Sequence, residues 1–219
     1  MVPEDFPETR WSQLLDLRDP SHPAHQEHLE RLARQYWKPV YHYIRALRPS
    51  ADAEDLAQQY FTLLLSRRDL ERLSPDRGSF RGFLKTSLRN FLASADRSQA
   101  ARPRLFPFEE AEAAWKEDRV PPEQAFDREW ARGVLLEATA RLRRELKPPA
   151  FEIFQEYCLE DTDLGYGALA QKHGVSENDV RNRLREARLR LREILEEMLR
   201  DYLLPGQSVE DELRFILAR

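Results

Sequence analysis

YGALAQKHGVSENDVRNRLREARLRLREIL, residues 166–195, decides how this chain is read. Leu169 and Ala170 give its first part a short apolar edge, and Gly174 suits the left-handed backbone that ends a helix. Ser176 with Asp179 offers an N-cap pattern. The spacing predicts helix, tight turn, helix. In the second helix Val180, Leu184, Ala187, Leu191 and Leu195 recur on one face, while Asn178, Arg181, Asn182 and Arg185 point away from it near the N-terminal end. Asn and Arg carry the paired donors and acceptors that match adenine and guanine in the major groove, where an end-on helix presents its first turns. Arg188 and Arg192 extend the stripe toward phosphates. The plainer alternative is a solvated helix whose arginines pair with Glu186, Glu193 and their neighbours for about 0.2–0.5 kcal/mol each. Six arginines against one glutamate in residues 181–192 favour DNA reading.

Composition limits the alternatives. With 219 residues and 41% hydrophobic content the chain has material for one good core or two small ones. A charged fraction of 34%, rich in Arg and Glu beside Leu and Ala, with only 7 glycines, favours helix over sheet. The single cysteine, Cys158, excludes an internal disulfide and a multi-thiolate metal site, as suits a reducing compartment. The opening residues MVPEDFPETRW carry neither a basic start nor an apolar run, so no signal peptide or membrane span is expected and a cytoplasmic location is. A formal net charge of -4 means that any nucleic-acid binding is local, through clusters of Lys and Arg.

Apolar spacing predicts helices near 10–18, 25–48, 52–66, 79–96, 123–146, 149–158, 165–172 and 176–203, with a last one from about 208, and no strand pattern competes. The expected fold is all-α. Between 98 and 122 the periodicity dissolves into SQAARPRLFPFEEAEAAWKEDRVPP, whose four prolines exclude helix interiors. The expected organisation is a helical domain over 1–97, a proline-rich linker over 98–122, a helix-turn-helix domain over 123–204 and an amphipathic extension over 205–219.

Two further stretches carry chemistry. In PSADAEDLAQQYFTLLL, residues 49–65, Asp52, Glu54 and Asp55 sit in a first turn, where the helix dipole favours carboxylates. Ala53, Leu56, Ala57, Tyr60 and Leu64 make its apolar face, and Asp55, Gln58, Gln59 and Thr62 share another that suits a basic partner helix. A well-started helix with no partner is the simpler alternative. In GSFRGFLKTSLRNFLASADRSQAARPR, residues 78–104, Phe80, Phe83, Leu84, Leu88, Phe91 and Leu92 form a core stripe. Arg81, Lys85, Arg89, Asn90, Arg97, Arg102 and Arg104 make a basic flank; cations among aromatics suit single-stranded nucleic acid, although most of these phenylalanines read as core. His22, His25 and His28 have no Asp, Glu or Cys completing a set at ligand spacing, so no metal is expected. Neither a phosphate-binding loop nor a nucleophile elbow is present, and no catalytic residue or cofactor is expected. Thr62 and Ser66 stand on the exposed side of the acidic helix as possible phosphate acceptors.

Taken in order, FPETRWSQLLDLRD, RQYWKPVYHYIR, DAEDLAQQYFTLLL and DRGSFRGFLKTSLRNFLASADR resemble region 2 of a bacterial RNA polymerase sigma factor of the sigma-70 family, extracytoplasmic-function (ECF) type. PPEQAFDREWARGVLLEATARLRREL and the opening quotation resemble region 4 and its helix-turn-helix. The resemblance implies that Asp52, Glu54, Asp55, Leu56 and Gln58 dock on core RNA polymerase, at the beta-prime clamp, with the beta subunit also a partner. It implies that Lys85, Arg89, Asn90, Asp96 and Arg97 capture and melt the minus-10 promoter element. The minus-35 element would be read by Asn178, Arg181, Asn182 and Arg185, with Arg188 on the backbone. An anti-sigma protein or a Ser/Thr kinase would be a further partner. The chain departs from the family pattern after Asp96 and Arg97, where SQAARPR is less basic than usual, and at Phe83, where many members carry tryptophan. Its extension GQSVEDELRFILAR runs past the usual end of region 4, with Val209, Leu213, Ile216 and Leu217 able to pack. A free-standing helix-turn-helix regulator and a sigma-like interaction protein that does not initiate transcription are the competing readings.

Overall fold

The computed structural model describes residues 11–66, 70, 74, 78–100, 120–160, 164–200, 203 and 208–217, with backbone alone for 11–13 and 97–100. All regular structure among them is helical: α1 (Trp11–Asp16), α2 (His25–Leu47), α3 (Ala53–Ser66), α4 (Phe80–Ala100), α5 (Pro122–Glu145), α6 (Ala150–Cys158), α7 (Tyr166–His173), α8 (Glu177–Arg200) and α9 (Val209–Leu217). The all-α expectation holds. The boundaries move where local chemistry outruns apolar periodicity: α4 continues to Ala100, into the stretch expected as linker. The remainder of that stretch, including Arg102 and Arg104, lies largely outside the described residues.

The chain separates into two compact units, and the division falls inside α5, between Ala131 and Arg132. The first part of α5 turns its apolar side toward the N-terminal unit. Phe126 and Trp130, 0% and 1% exposed, are among the largest fully buried side chains of the protein. Phe126 stacks on Tyr36 of α2 at 6.2 Å, and Tyr36 meets Phe80 of α4 edge-on at 5.3 Å. Pro122 opens α5, where a missing N–H is lost without cost.

In the N-terminal unit α2 packs against α3. Leu32, Tyr36, Val40, Tyr43 and Ile44 meet a core completed by Ala57, Tyr60, Phe61 and Leu64 of α3 and by Phe80, Leu84, Leu88 and Leu92 of α4. The α4 stripe falls at intervals of four, while Phe83 and Phe91 lie half-buried at its edge. Tyr60 fastens α3 to α4, its hydroxyl within 3.3 Å of the Leu84 carbonyl and 2.5 Å of Ser87 Oγ.

In the C-terminal unit α8 is the spine. Val180, Leu184, Ala187, Leu191 and Leu195 are all buried, as their spacing predicts, and Ile194, Met198 and Leu199 join them. α6, α7 and α9 each pack on α8. Leu213 and Ile216 of α9 are buried, so the extension is part of the fold. Leu217 is not: it is 50% exposed, one residue too far around the helix to share that face.

Candidate nucleic-acid and partner interface

Local chemistry sets the turn and the cap of the helix-turn-helix. α7 ends at Gly174, in the left-handed conformation at φ 64°, where the Gly174 N–H reaches the Ala170 carbonyl. The Val175 N–H reaches the same carbonyl at 3.0 Å. A Cβ at this φ costs about 1–2 kcal/mol, so glycine suits the position. α8 starts on a reciprocal cap in which the Asp179 N–H donates to Ser176 Oγ (3.1 Å) and the Ser176 N–H and hydroxyl donate to Asp179 Oδ2 (3.1 and 2.7 Å). Those Ser176 hydrogen bonds hold the Asp179 carboxyl below its ordinary value. Its contribution is complete at neutral pH and is lost only as pH falls through that lowered pKa.

Asn178, Arg181, Asn182 and Arg185 emerge exposed from the first turns of α8, opposite its buried face. Asn182 and Arg185 have no hydrogen-bond or ion-pair partner among the described residues. Both border an open cleft of about 660 Å³ with Glu145, Leu146, Glu186, Leu189, Arg190 and Glu193. Arg181 and Arg188 are held differently. The Arg181 guanidinium lies over the Tyr166 ring at 5.5 Å, Arg188 lies over Tyr157 at 5.6 Å, and the two rings meet at 5.2 Å. Arg188 also donates to Cys158 Sγ at 3.6 Å. Sequence reasoning missed these tyrosines because α6 and α7 bring them beneath α8 only in three dimensions. Further along α8 the solvated-helix alternative is correct. Arg190 bonds to Glu145, Glu193 and Glu197, and Arg192 bonds to Glu196. Arg192, expected to reach toward phosphate, is engaged within its own helix.

The acidic surface of α3 is equally local in origin. Asp52 caps the helix, its carboxylate accepting the N–H groups of Glu54 and Asp55 at 3.1 Å each. Asp55 accepts a hydrogen bond from Gln59 at 2.7 Å. Asp52, Glu54, Asp55 and Gln58 are exposed, and Leu56, around the helix from Glu54 and Gln58, is half-buried. Thr62 and Ser66 are exposed on the same helix, their hydroxyls donating to the Gln58 and Leu63 carbonyls.

The α4 residues are more engaged than their sequence suggests. Lys85 Nζ lies 3.0 Å from both carboxylate oxygens of Asp127. Arg89 donates to Glu123 Oε1 at 2.8 Å, and Asp96 is paired with Arg48. Asn90 is exposed. The side chain of Arg97 lies outside the described residues.

Elsewhere in this unit the fold completes a set that sequence spacing does not show. Asp16 places carboxylate oxygens 3.9 Å from His22 Nε2 and 3.5 Å from His28 Nδ1. His22 Nδ1, however, accepts the Ala24 N–H at 3.2 Å. That leaves the neutral ring's proton on Nε2, the nitrogen that a metal would need bare. We assign no metal there.

Residues 24–102 match the family model of sigma-70 region 2. That stretch of the chain is similar to region 2 of sigma-70 family factors. No curated protein and no solved structure gives a significant match. The region 2 match spans α2, α3 and α4, and so contains both the acidic face at Asp52–Gln58 and the basic edge of α4. The helix-turn-helix of α7 and α8 lies beyond it. Members of this family are non-enzymatic factors of transcription initiation, whose partners are core RNA polymerase and promoter DNA. Among the described residues no helix is long and apolar enough to cross a membrane.

Proposed function

We propose that this chain is an ECF-type sigma factor with a region 2 and a region 4, which binds core RNA polymerase and directs it to a subset of promoters. The observation that carries this reading is the pairing, in one chain, of an acidic face inside the sigma-70 region 2 match with a capped helix-turn-helix whose Asn182 and Arg185 have no partner among the described residues. Asp52, Glu54, Asp55, Leu56 and Gln58 form the polymerase contact. Asn90 and Arg97, with Lys85, Arg89 and Asp96 once released from their internal partners, face the minus-10 element. Asn178, Arg181, Asn182 and Arg185 read the minus-35 element, with Arg188 on the backbone. Tyr166 and Tyr157 preorganise Arg181 and Arg188 there, a contribution of about 0.5–1 kcal/mol for each exposed cation–π contact. Catalysis stays with the polymerase, and the chain acts in the cytoplasm. An anti-sigma protein, or a kinase acting at Thr62 or Ser66, would regulate it.

The test is co-purification with core polymerase followed by run-off transcription. Alanine at Asp52 would remove a helix cap along with a charge, so the informative variant is Asp52→Asn with Asp55→Asn, since asparagine caps as well as aspartate. The wild type is expected to retain core polymerase and give promoter-dependent transcripts, and the double variant to lose retention while keeping its helical circular dichroism. Retention unchanged in the double variant overturns the assignment of α3. Specific DNA binding by a wild type that does not bind polymerase establishes the free-standing regulator instead.

A further inference from the structure

The side chains on one edge of α4 and the first half of α5 are matched in charge and in period. Arg81, Lys85 and Arg89 recur every four residues along α4, and Glu123 and Asp127 recur at the same interval on α5. In each row successive charges lie about 6 Å apart along the helix. Asp127 takes Lys85 at 3.0 Å and Arg81 at 3.8 Å, and Glu123 takes Arg89 at 2.8 Å. The Tyr43 hydroxyl stands 3.4 Å from the same Glu123 oxygen. Desolvation raises the Glu123 pKa, but its backbone hydrogen bond and the Arg89 contact outweigh this and leave it below the ordinary carboxylate value, so the residue is ionised at neutral pH. Apolar anchors set the register: Phe126 stacks on Tyr36, and the Arg81 guanidinium lies 3.9 Å from the Trp130 ring centroid.

A row of cations with regular spacing fits a row of oxyanions. A nucleic-acid strand offers such a row in its phosphates, and the α5 carboxylates offer a short one already in place. We propose that the Arg81–Lys85–Arg89 edge of α4 is a phosphate-binding site for promoter DNA and that the first half of α5 is an internal acidic strap occupying it, with Glu123 and Asp127 standing where phosphates go. DNA and strap compete for the same three cations. The assignment of phosphate as ligand rests on the region 2 DNA-binding reading above, whereas the strap is a separate claim about what holds the site in the free protein.

The two claims are separable by fluorescence anisotropy of the full-length chain with a short labelled single-stranded DNA. Glu123→Gln with Asp127→Asn keeps shape and removes charge. It is expected to bind about tenfold tighter at low salt, on the scale of the three ion pairs broken. Its log K against log salt should steepen by up to about 2.1, three released cations at about 0.7 each. Glu123→Gln alone, at a side chain 43% exposed, is the variant least able to disturb folding and should show a smaller effect of the same sign. Lys85→Ala with Arg89→Ala should weaken binding in both backgrounds. Loss on removing the cations with no gain on neutralising the carboxylates overturns the strap and leaves the DNA site standing. No loss on removing the cations overturns the DNA site itself, and the strap with it.

Discussion

Asn182→Ala combined with Arg185→Ala is expected to lower affinity for the proposed minus-35 duplex by about 2–6 kcal/mol, since each paired base contact is worth about 1–3 kcal/mol. The expected loss is at least about thirtyfold. Both side chains stand on the exposed face of α8, clear of Val180, Leu184 and Ala187, and neither takes part in the Ser176–Asp179 cap. The double variant should therefore fold and bind core polymerase as the wild type does. The decisive comparison uses two duplexes, one with the cognate element and one with it scrambled, at fixed salt, because phosphate contacts weaken both alike. A variant that loses equally on the two duplexes would place these residues on the backbone and return the base readout to other positions.

Phe126→Ala destabilises the N-terminal unit by about 3–5 kcal/mol, the cost of a large buried aromatic removed from a packed core. The residue is 0% exposed and stacked on Tyr36, itself 0% exposed. Amide hydrogen exchange is the suitable measurement because it reports each unit separately, whereas a single melting curve of a two-unit chain does not. Protection should fall in α2 and α4 and persist in α7 and α8. A fall of less than about 1 kcal/mol in α2 would show that the first half of α5 is not part of that core.

Much of this was legible because it is written locally. Gly174, Ser176 and Asp179 specify the turn and the cap within six residues, and the α8 face from Val180 to Leu195 follows the helical period. Asp52 as a cap and the exposed acids behind it follow from the same short-range rules. The partners of Lys85, Arg89 and Asp96 were not legible, because Asp127, Glu123 and Arg48 lie tens of residues away and a charge carries no directional signal along the chain. The complementary four-residue spacing of the two rows was the available clue. Likewise, Asp16 meets His22 and His28 only after the chain has turned into α2. The division of the chain inside α5 had no signal in composition, since a helix shows no break where its environment changes.

Trp130 and Phe126 lie well downstream of residue 102, where the region 2 match stops. A fragment trimmed to that match would carry an open apolar socket beside Tyr36, with Lys85 and Arg89 of α4 stripped of Asp127 and Glu123. Such a truncation invites aggregation and indiscriminate adhesion to nucleic acid. The compact unit that holds this module extends through Ala131, with its counter-charges attached.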